Sequence, residues 1–221
     1  MEQSVKPSTE ENFLYYAIKY KTALIATLVL LISLGAGTFF WVRQQKVNEL
    51  EAAMQLSRIA PLLDVGEYGV AINGKGHVAG LKKIAEEYSG KYTGTPSGNM
   101  ANLLLANAWY SSKEYDKALS VFKTVSMENN DLAAAALAGT GDCYFNKNQF
   151  AKAAESYQEA SKKADNSALK AQYLTNAAKS FQESKQLAKA SELYTKIIAD
   201  YPGSTGAVVA QRSLWQISGN L

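Results

Sequence analysis

Gly141–Tyr157 reads GDCYFNKNQFAKAAESY. A small residue, Gly141, precedes an aromatic, Tyr144, by three positions. After a gap Phe150 opens a second apolar run, with Ala153 three later and Tyr157 four beyond that. The same spacing recurs in Ala106…Trp109…Tyr115…Ala118…Phe122 and in Ala178…Phe181…Leu187…Ala190…Tyr194. Ala106, Gly141 and Ala178 lie 35 and then 37 residues apart, a period in the range of a repeated helix–turn–helix unit. Small residues let two helices approach closely, and bulky ones fill the space beside the contact. One such unit cannot bury its own apolar face, so neighbours must stack into a solenoid. Three unrelated helix pairs would not keep this register three times. The fold class is all-α, with no sustained strand alternation.

The segments Leu105-Ala106-Asn107-Ala108-Trp109-Tyr110, Gly139-Thr140-Gly141-Asp142-Cys143-Tyr144 and Tyr201-Pro202-Gly203-Ser204 resemble tetratricopeptide repeats. Pro202 falls where that family ends a repeat's second helix, and proline cannot continue one. The family's tryptophan and leucine early in the first helix are absent, and the linkers are longer than usual.

Thr22–Val42, TALIATLVLLISLGAGTFFWV, is 21 residues long without a charge. At ~1.5 Å per residue it matches the ~30 Å hydrocarbon layer of a bilayer. Tyr15, Tyr16 and Tyr20 lie at one end and Phe39, Phe40 and Trp41 at the other, as interfacial belts would. A cleaved signal peptide is the competing reading, with Gly35-Ala36-Gly37 as the cut site. Against it, the polar leader is long and the apolar run continues past any such cut. Lys6, Lys19 and Lys21 before the span balance Arg43, Lys46 and Arg58 after it, so charge does not choose an orientation.

A formal charge of +3, with lysines interleaved with acids, describes a mixed solvated surface and argues against nucleic acid as a partner. Cys143 is the only cysteine, so no intramolecular disulfide forms, and a small core residue is its expected role. His77 is the only histidine, which rules out a multi-histidine metal site. Asn73-Gly74-Lys75-Gly76-His77 lacks the Gly-Lys-Ser/Thr ending of a phosphate loop and follows no strand. No serine or acid sits in a nucleophile motif with a base. The chain is therefore expected to be non-enzymatic, with no cofactor.

Along the soluble part, Val47 to about Asp64 reads as a helix that Pro61 should kink or interrupt. The glycine-rich residues 66–76 mark a turn or loop. Val78–Tyr88 reads as another helix and Ser89–Gly98 as a second loop. Ile84-Ala85-Glu86-Glu87-Tyr88 is similar to Ile197-Ile198-Ala199-Asp200-Tyr201, which suggests a degenerate leading repeat. Asp131 is a candidate N-cap before Leu132. The expected divisions are a tail 1–21, a membrane helix 22–42, a neck with the leading repeat 43–98, three repeats 99–203 and a capping helix 204–221. The capping helix should turn Gln211, Arg212, Ser213 and Gln216 outward.

Carried over by register, the family's concave groove takes Met100, Leu103, Asn107 and Tyr110 from the first repeat. Asp142, Phe145 and Asn146 come from the second, and Lys179 and Gln182 from the third. Exposed aromatics there would suit a peptide or helix laid in a groove; the alternative is that they pack against the next repeat. Chaperone-binding members grip a terminal carboxylate with several Lys, Arg and Asn residues, of which only Asn107, Asn146 and Lys179 remain here.

Anchor, neck, the Asn-Gly-Lys-Gly loop before Leu-Lys-Lys-Ile-Ala-Glu-Glu-Tyr, and the repeats together resemble the bacterial membrane-anchored tetratricopeptide proteins that are ancillary subunits of the SecYEG translocon. That resemblance implies an inner-membrane protein with a cytoplasmic N-terminus and periplasmic repeats. It also implies protein partners: the translocon, or chaperones near emerging proteins. The other expectation is an accessory subunit of a large membrane complex, respiratory or photosynthetic, with Gly35, Ala36 and Gly37 packed against partner helices.

Overall fold

The computed structural model describes residues 9–88 and 95–219. The first eight residues of the expected tail, and Ser89–Gly94 of the expected second loop, lie outside the described residues. The chain divides into two compact units, Met1–Val47 and Asn48–Leu221.

In the first unit α1 (Thr9–Lys19) precedes α2 (Lys21–Asp64), whose last part belongs to the second unit. Among the described residues α2 alone is long and apolar enough to cross a membrane, and its most apolar stretch is wholly unburied. Tyr16 and Tyr20 stack at 6.3 Å, and the Lys19 ammonium lies 5.5 Å from the Tyr20 ring centre.

Pro61 does not interrupt α2, which runs on to Asp64. So near the end, the missing N–H removes only one of the last ladder bonds. The helix instead stops in a Schellman turn: Glu67 N donates to the Leu62 carbonyl at 2.8 Å and Gly66 N to Leu63 at 3.1 Å. Gly66 occupies the left-handed region at φ 81°, which costs a residue without Cβ nothing.

Beyond the turn lie α3 (Tyr68–Asn73), β1 (Gly74–Lys75), β2 (Val78–Ala79) and α4 (Leu81–Tyr88). Val78 and Ala79, expected in the helix, instead pair with Lys75 and Gly74 in a two-residue antiparallel ribbon. From Tyr68 to Tyr88 is 20 positions, whereas the matching Leu187 to Tyr201 is 14. The excess of six is the ribbon, Gly74–Ala79. α3 and α4 thus flank a six-residue ribbon. Ala52, Ile59, Ala71, Ile72, Leu81 and Ile84 share one buried core with Ala101, Leu105 and Ala108 of the next helix.

That helix, α5 (Pro96–Ser111), starts inside the expected loop, because Thr95 caps it by accepting from Gly98 N at 3.0 Å. The Glu49 carboxylate of α2 adds to the cap, accepting from Ser97 N at 3.0 Å and from Ser97 Oγ at 2.6 Å. Negative charge at a helix N-terminus opposes the helix dipole favourably. Then follow α6 (Tyr115–Phe122), α7 (Asn130–Asn146), α8 (Phe150–Lys163), α9 (Ser167–Glu183), α10 (Leu187–Asp200) and α11 (Thr205–Ser218). Each packs on the next, and α11 closes on both α9 and α10.

First and second helices begin differently. The first helices α5, α7 and α9, and the terminal α11, carry side-chain caps from Thr95, Asn129, Asn166 and Ser204. Asp131 is therefore not the cap of α7; Asn129, in extended backbone, reaches Leu132 N at 3.0 Å. From inside the helix Asp131 Oδ1 instead accepts from Asp165 N at 2.8 Å and Asn166 N at 3.0 Å, latching the second repeat to the start of the third.

The second helices α6, α8 and α10 have no side-chain cap and emerge from Schellman turns in register. Glu114 N donates to Trp109, Gln149 N to Tyr144 and Gln186 N to Phe181, each carbonyl accepting at 2.8–2.9 Å. The left-handed residues are Lys113, Asn148 and Lys185, with φ of 63°, 57° and 63°. Asparagine tolerates that conformation, but lysine suffers ~1–2 kcal/mol there. Glycine adds back ~0.5–1 kcal/mol of chain entropy, so Lys113→Gly with Lys185→Gly should stabilise the protein by about 1–2 kcal/mol in all. A thermal melt followed by circular dichroism should rise by several degrees; a lower midpoint would mean that the lysine side chains hold these turns.

The outer face of α11 departs from expectation. Gln211, Arg212 and Gln216 are exposed as expected, but Ser213 is half-buried, and Val208 and Trp215 are 57% and 70% exposed among them. Packing on α9 and α10 is satisfied by Ala207, Ala210 and Ile217, which leaves the larger apolar residues outside.

Candidate functional site

Ala106, Ala118, Gly141, Ala153, Ala178 and Ala190 are buried, as are Phe122, Tyr157, Phe181 and Tyr194. Trp109 and Tyr144 are only half-buried. Lys117 sits 4.5 Å over the Trp109 ring, and Lys123 and Lys152 each lie 5.5 Å from Tyr144. Cys143 is fully buried among Leu103, Ala106 and Phe122, and burial pushes its thiol up to about 12, which makes it inert at neutral pH.

Five of the nine candidate groove residues line one cavity of about 270 Å³: Tyr110 of α5, Asp142, Phe145 and Asn146 of α7, and Lys179 of α9. Tyr157 of α8 and Asn176 of α9 complete it. The cavity has a built polar floor. Tyr157 Oη donates to Asp142 Oδ1 at 2.5 Å. The Asn146 amide donates to Tyr110 Oη at 3.0 Å and to the Asp142 carbonyl at 2.9 Å. The Lys179 ammonium lies 5.4 Å from the centre of the Phe145 ring, which packs edge-on against Phe150.

Burial raises the Asp142 carboxyl above its usual range, and the Tyr157 hydroxyl offsets this only in part. Burial, then the Asp142 charge, raises the Tyr110 and Tyr157 hydroxyls, so both stay protonated donors at neutral pH. Asp142 Oδ2 and the Asn176 amide are engaged in no hydrogen bond among the described residues. The cavity thus offers an acceptor, an amide, an ammonium and aromatic walls.

The remaining candidates lie elsewhere. Leu103 does not face the groove: it is 5% exposed, packed with Ala106, Ala118 and Phe122. Met100 is half-buried against that same core, and Asn107 is exposed. Gln182 accepts from Tyr194 Oη at 3.2 Å and so is tied within its own repeat. Asn176, not foreseen, lies three residues before Lys179 and so on the same helix face.

A larger cavity of about 440 Å³ lies between the end of α6 and α8, floored by Ala136, Leu137 and Tyr144 of α7. It exists because α6 has 8 residues where α8 and α10 have 14. In the apolar stretch of α2, an added Cβ at Gly35 or Gly37 would meet nothing within 4 Å. Among the described residues no group of His, Cys, Asp and Glu is placed to hold a metal.

Residues 16–140 match the family model of the tetratricopeptide repeat-like domain. Residues 110–177 and 172–204 match two further models, each of the tetratricopeptide repeat. No curated protein and no solved structure matches the chain.

Proposed function

The chain belongs to the family of tetratricopeptide repeat-like domains, and from that premise we propose that it is a non-enzymatic protein–protein interaction module tethered to a membrane. The observation that carries this reading is the cavity at Tyr110, Asp142, Phe145, Asn146 and Lys179, where three successive first helices bring unspent polar groups beside aromatic walls. Such an arrangement suits a polypeptide laid across the helices. The tether is Thr22–Val42 of α2, which the matched family model also spans. In the finer form of the proposal the membrane is a bacterial inner membrane, the N-terminus cytoplasmic and the repeats periplasmic. There the groove receives chaperones or proteins leaving the Sec translocon. Its support is the likeness of anchor, Asn-Gly-Lys-Gly loop and repeats noted in the sequence.

The second reading, an accessory subunit docked in a respiratory or photosynthetic complex, is favoured by the open backbone at Gly35 and Gly37, where a partner helix has room to approach. A pull-down of the full chain in mild detergent, read by mass spectrometry, separates the two. Translocon components, lost from an Asn146→Ala/Asn176→Ala chain, are the expected result. A stoichiometric foreign complex retained by that chain would replace the first reading with the second.

A further inference from the structure

Asp142 is the acid that the repeat register puts at the centre of the groove. Counting 35 back gives Asn107 and 37 forward gives Lys179, so three successive first helices place neutral, negative and positive side chains at one position. Asn107 stays outside the cavity, Lys179 lines it, and Asp142 is held in its floor. Its Oδ1 is held at 2.5 Å by the Tyr157 hydroxyl, while Oδ2 has no donor and no ammonium or guanidinium pairs with it among the described residues. A desolvated carboxylate without a counter-ion is a costly arrangement, and the raised Asp142 carboxyl registers that cost. A cation entering the cavity relieves it; an anion aggravates it.

The walls point the same way. Tyr110 and Phe145 line the space beside Asp142, and aromatic faces attract cations through the ring quadrupole. The protein already uses one of them so, since the Lys179 ammonium rests 5.4 Å from the Phe145 ring centre. Tyr110 Oη, which accepts from Asn146, keeps its own proton as a second-side donor to a polypeptide carbonyl.

From this geometry we infer that the cavity takes an arginine or lysine side chain of a bound polypeptide, with Asp142 as its counter-ion and the rings as its walls. The inference rests on the reading of this groove as a polypeptide site. Tyr157 is a positioning residue: its hydroxyl fixes one carboxylate oxygen so that the other faces the guest. Lys179 opposes the guest by repulsion and holds the ring that a guest cation would share.

The test uses the full chain in mild-detergent micelles and pools of short acetylated, amidated peptides. The pools are random except for a central arginine, lysine, norleucine or glutamate. Retention of the arginine and lysine pools should exceed that of norleucine about tenfold. Asp142→Asn, which keeps an acceptor for Tyr157, should bring the pools level. Lys179→Met, an exposed change that leaves the core intact, should increase arginine retention several-fold, on the order expected for removing a neighbouring like charge. Preference for glutamate, or an arginine preference that survives Asp142→Asn, overturns the inference while leaving the groove reading in place. Retention of no pool above that of an unrelated micellar protein overturns both.

Discussion

Leucine in place of Gly139 or Gly141 is expected to unfold the second repeat's packing, at a cost of about 3 kcal/mol or more. At Gly141 an added Cβ would lie 2.9 Å from two atoms of the Tyr157 ring. That ring cannot swing away: it is 3% exposed, and its hydroxyl is held by Asp142. At Gly139 the added atom would overlap the ring of Phe122, itself buried at the end of α6. Leucine gains less than ~1 kcal/mol over glycine in helix propensity, so overpacking wins. For a chain of this size ~3 kcal/mol lowers the melting midpoint by roughly 6–12 °C. The control is Gly69→Ala in α3, where nothing lies within 4 Å of the new Cβ, and the midpoint should hold or rise. Leucine variants that melt with the parent would show that these helices do not touch where the register places them. The loss would not stay local, since in a solenoid the first and third repeats meet only through the second.

The same close contact explains what could be read from residues alone. Helices that touch leave a small residue opposite a large one, and Gly141 with Tyr157 prints that requirement directly into the spacing. The lining of the smaller cavity was legible at Tyr110, Asp142, Phe145, Asn146 and Lys179, because these stand at first-helix positions beside the packing stripe. Leu103 was not, for a physical reason. The helix α5 is covered from several sides, with Ala101, Asn102, Leu103, Leu105, Ala106 and Ala108 all buried. A helix enclosed in this way has no polar face from which an outward position can be inferred.

The remaining misreadings come from insertions and competing caps. The ribbon Gly74–Ala79 takes Val78 and Ala79 out of the helix that their apolar spacing with Leu81 and Ile84 had suggested. Asp131 has the chemistry of a cap but stands two positions too late, and its carboxylate is used by the following repeat. Neither the latch nor the cavity's Asn176 has a local signature, since each depends on what a neighbouring repeat brings near.

Deleting residues 1–47 is expected to move the protein entirely from the membrane fraction to the soluble fraction. Thr22–Val42 holds eleven Leu, Ile, Val and Phe residues and no charge. At ~0.3–0.6 kcal/mol each near the bilayer centre, they favour insertion by roughly 3–6 kcal/mol in sum. Within the first unit these side chains have no other burial: Leu24, Ile25, Leu28 and Phe40 are all more than half exposed. The second unit, from Asn48, keeps its own buried cores, and it keeps the Glu49 bond to Ser97 that ties the end of α2 to α5. The shortened chain should therefore retain a helix-dominated circular dichroism spectrum and a cooperative melt. An alkaline carbonate wash provides the sharper comparison, because it strips peripheral proteins and leaves integral ones. The full chain should stay in the pellet and the chain from Asn48 in the supernatant. If the shortened chain pelleted, its membrane contact would lie in the repeats, with exposed Val208 and Trp215 of α11 the first place to look. If it were soluble but without helix, the leading repeat would need residues before Asn48, and the division between the two units would be wrong.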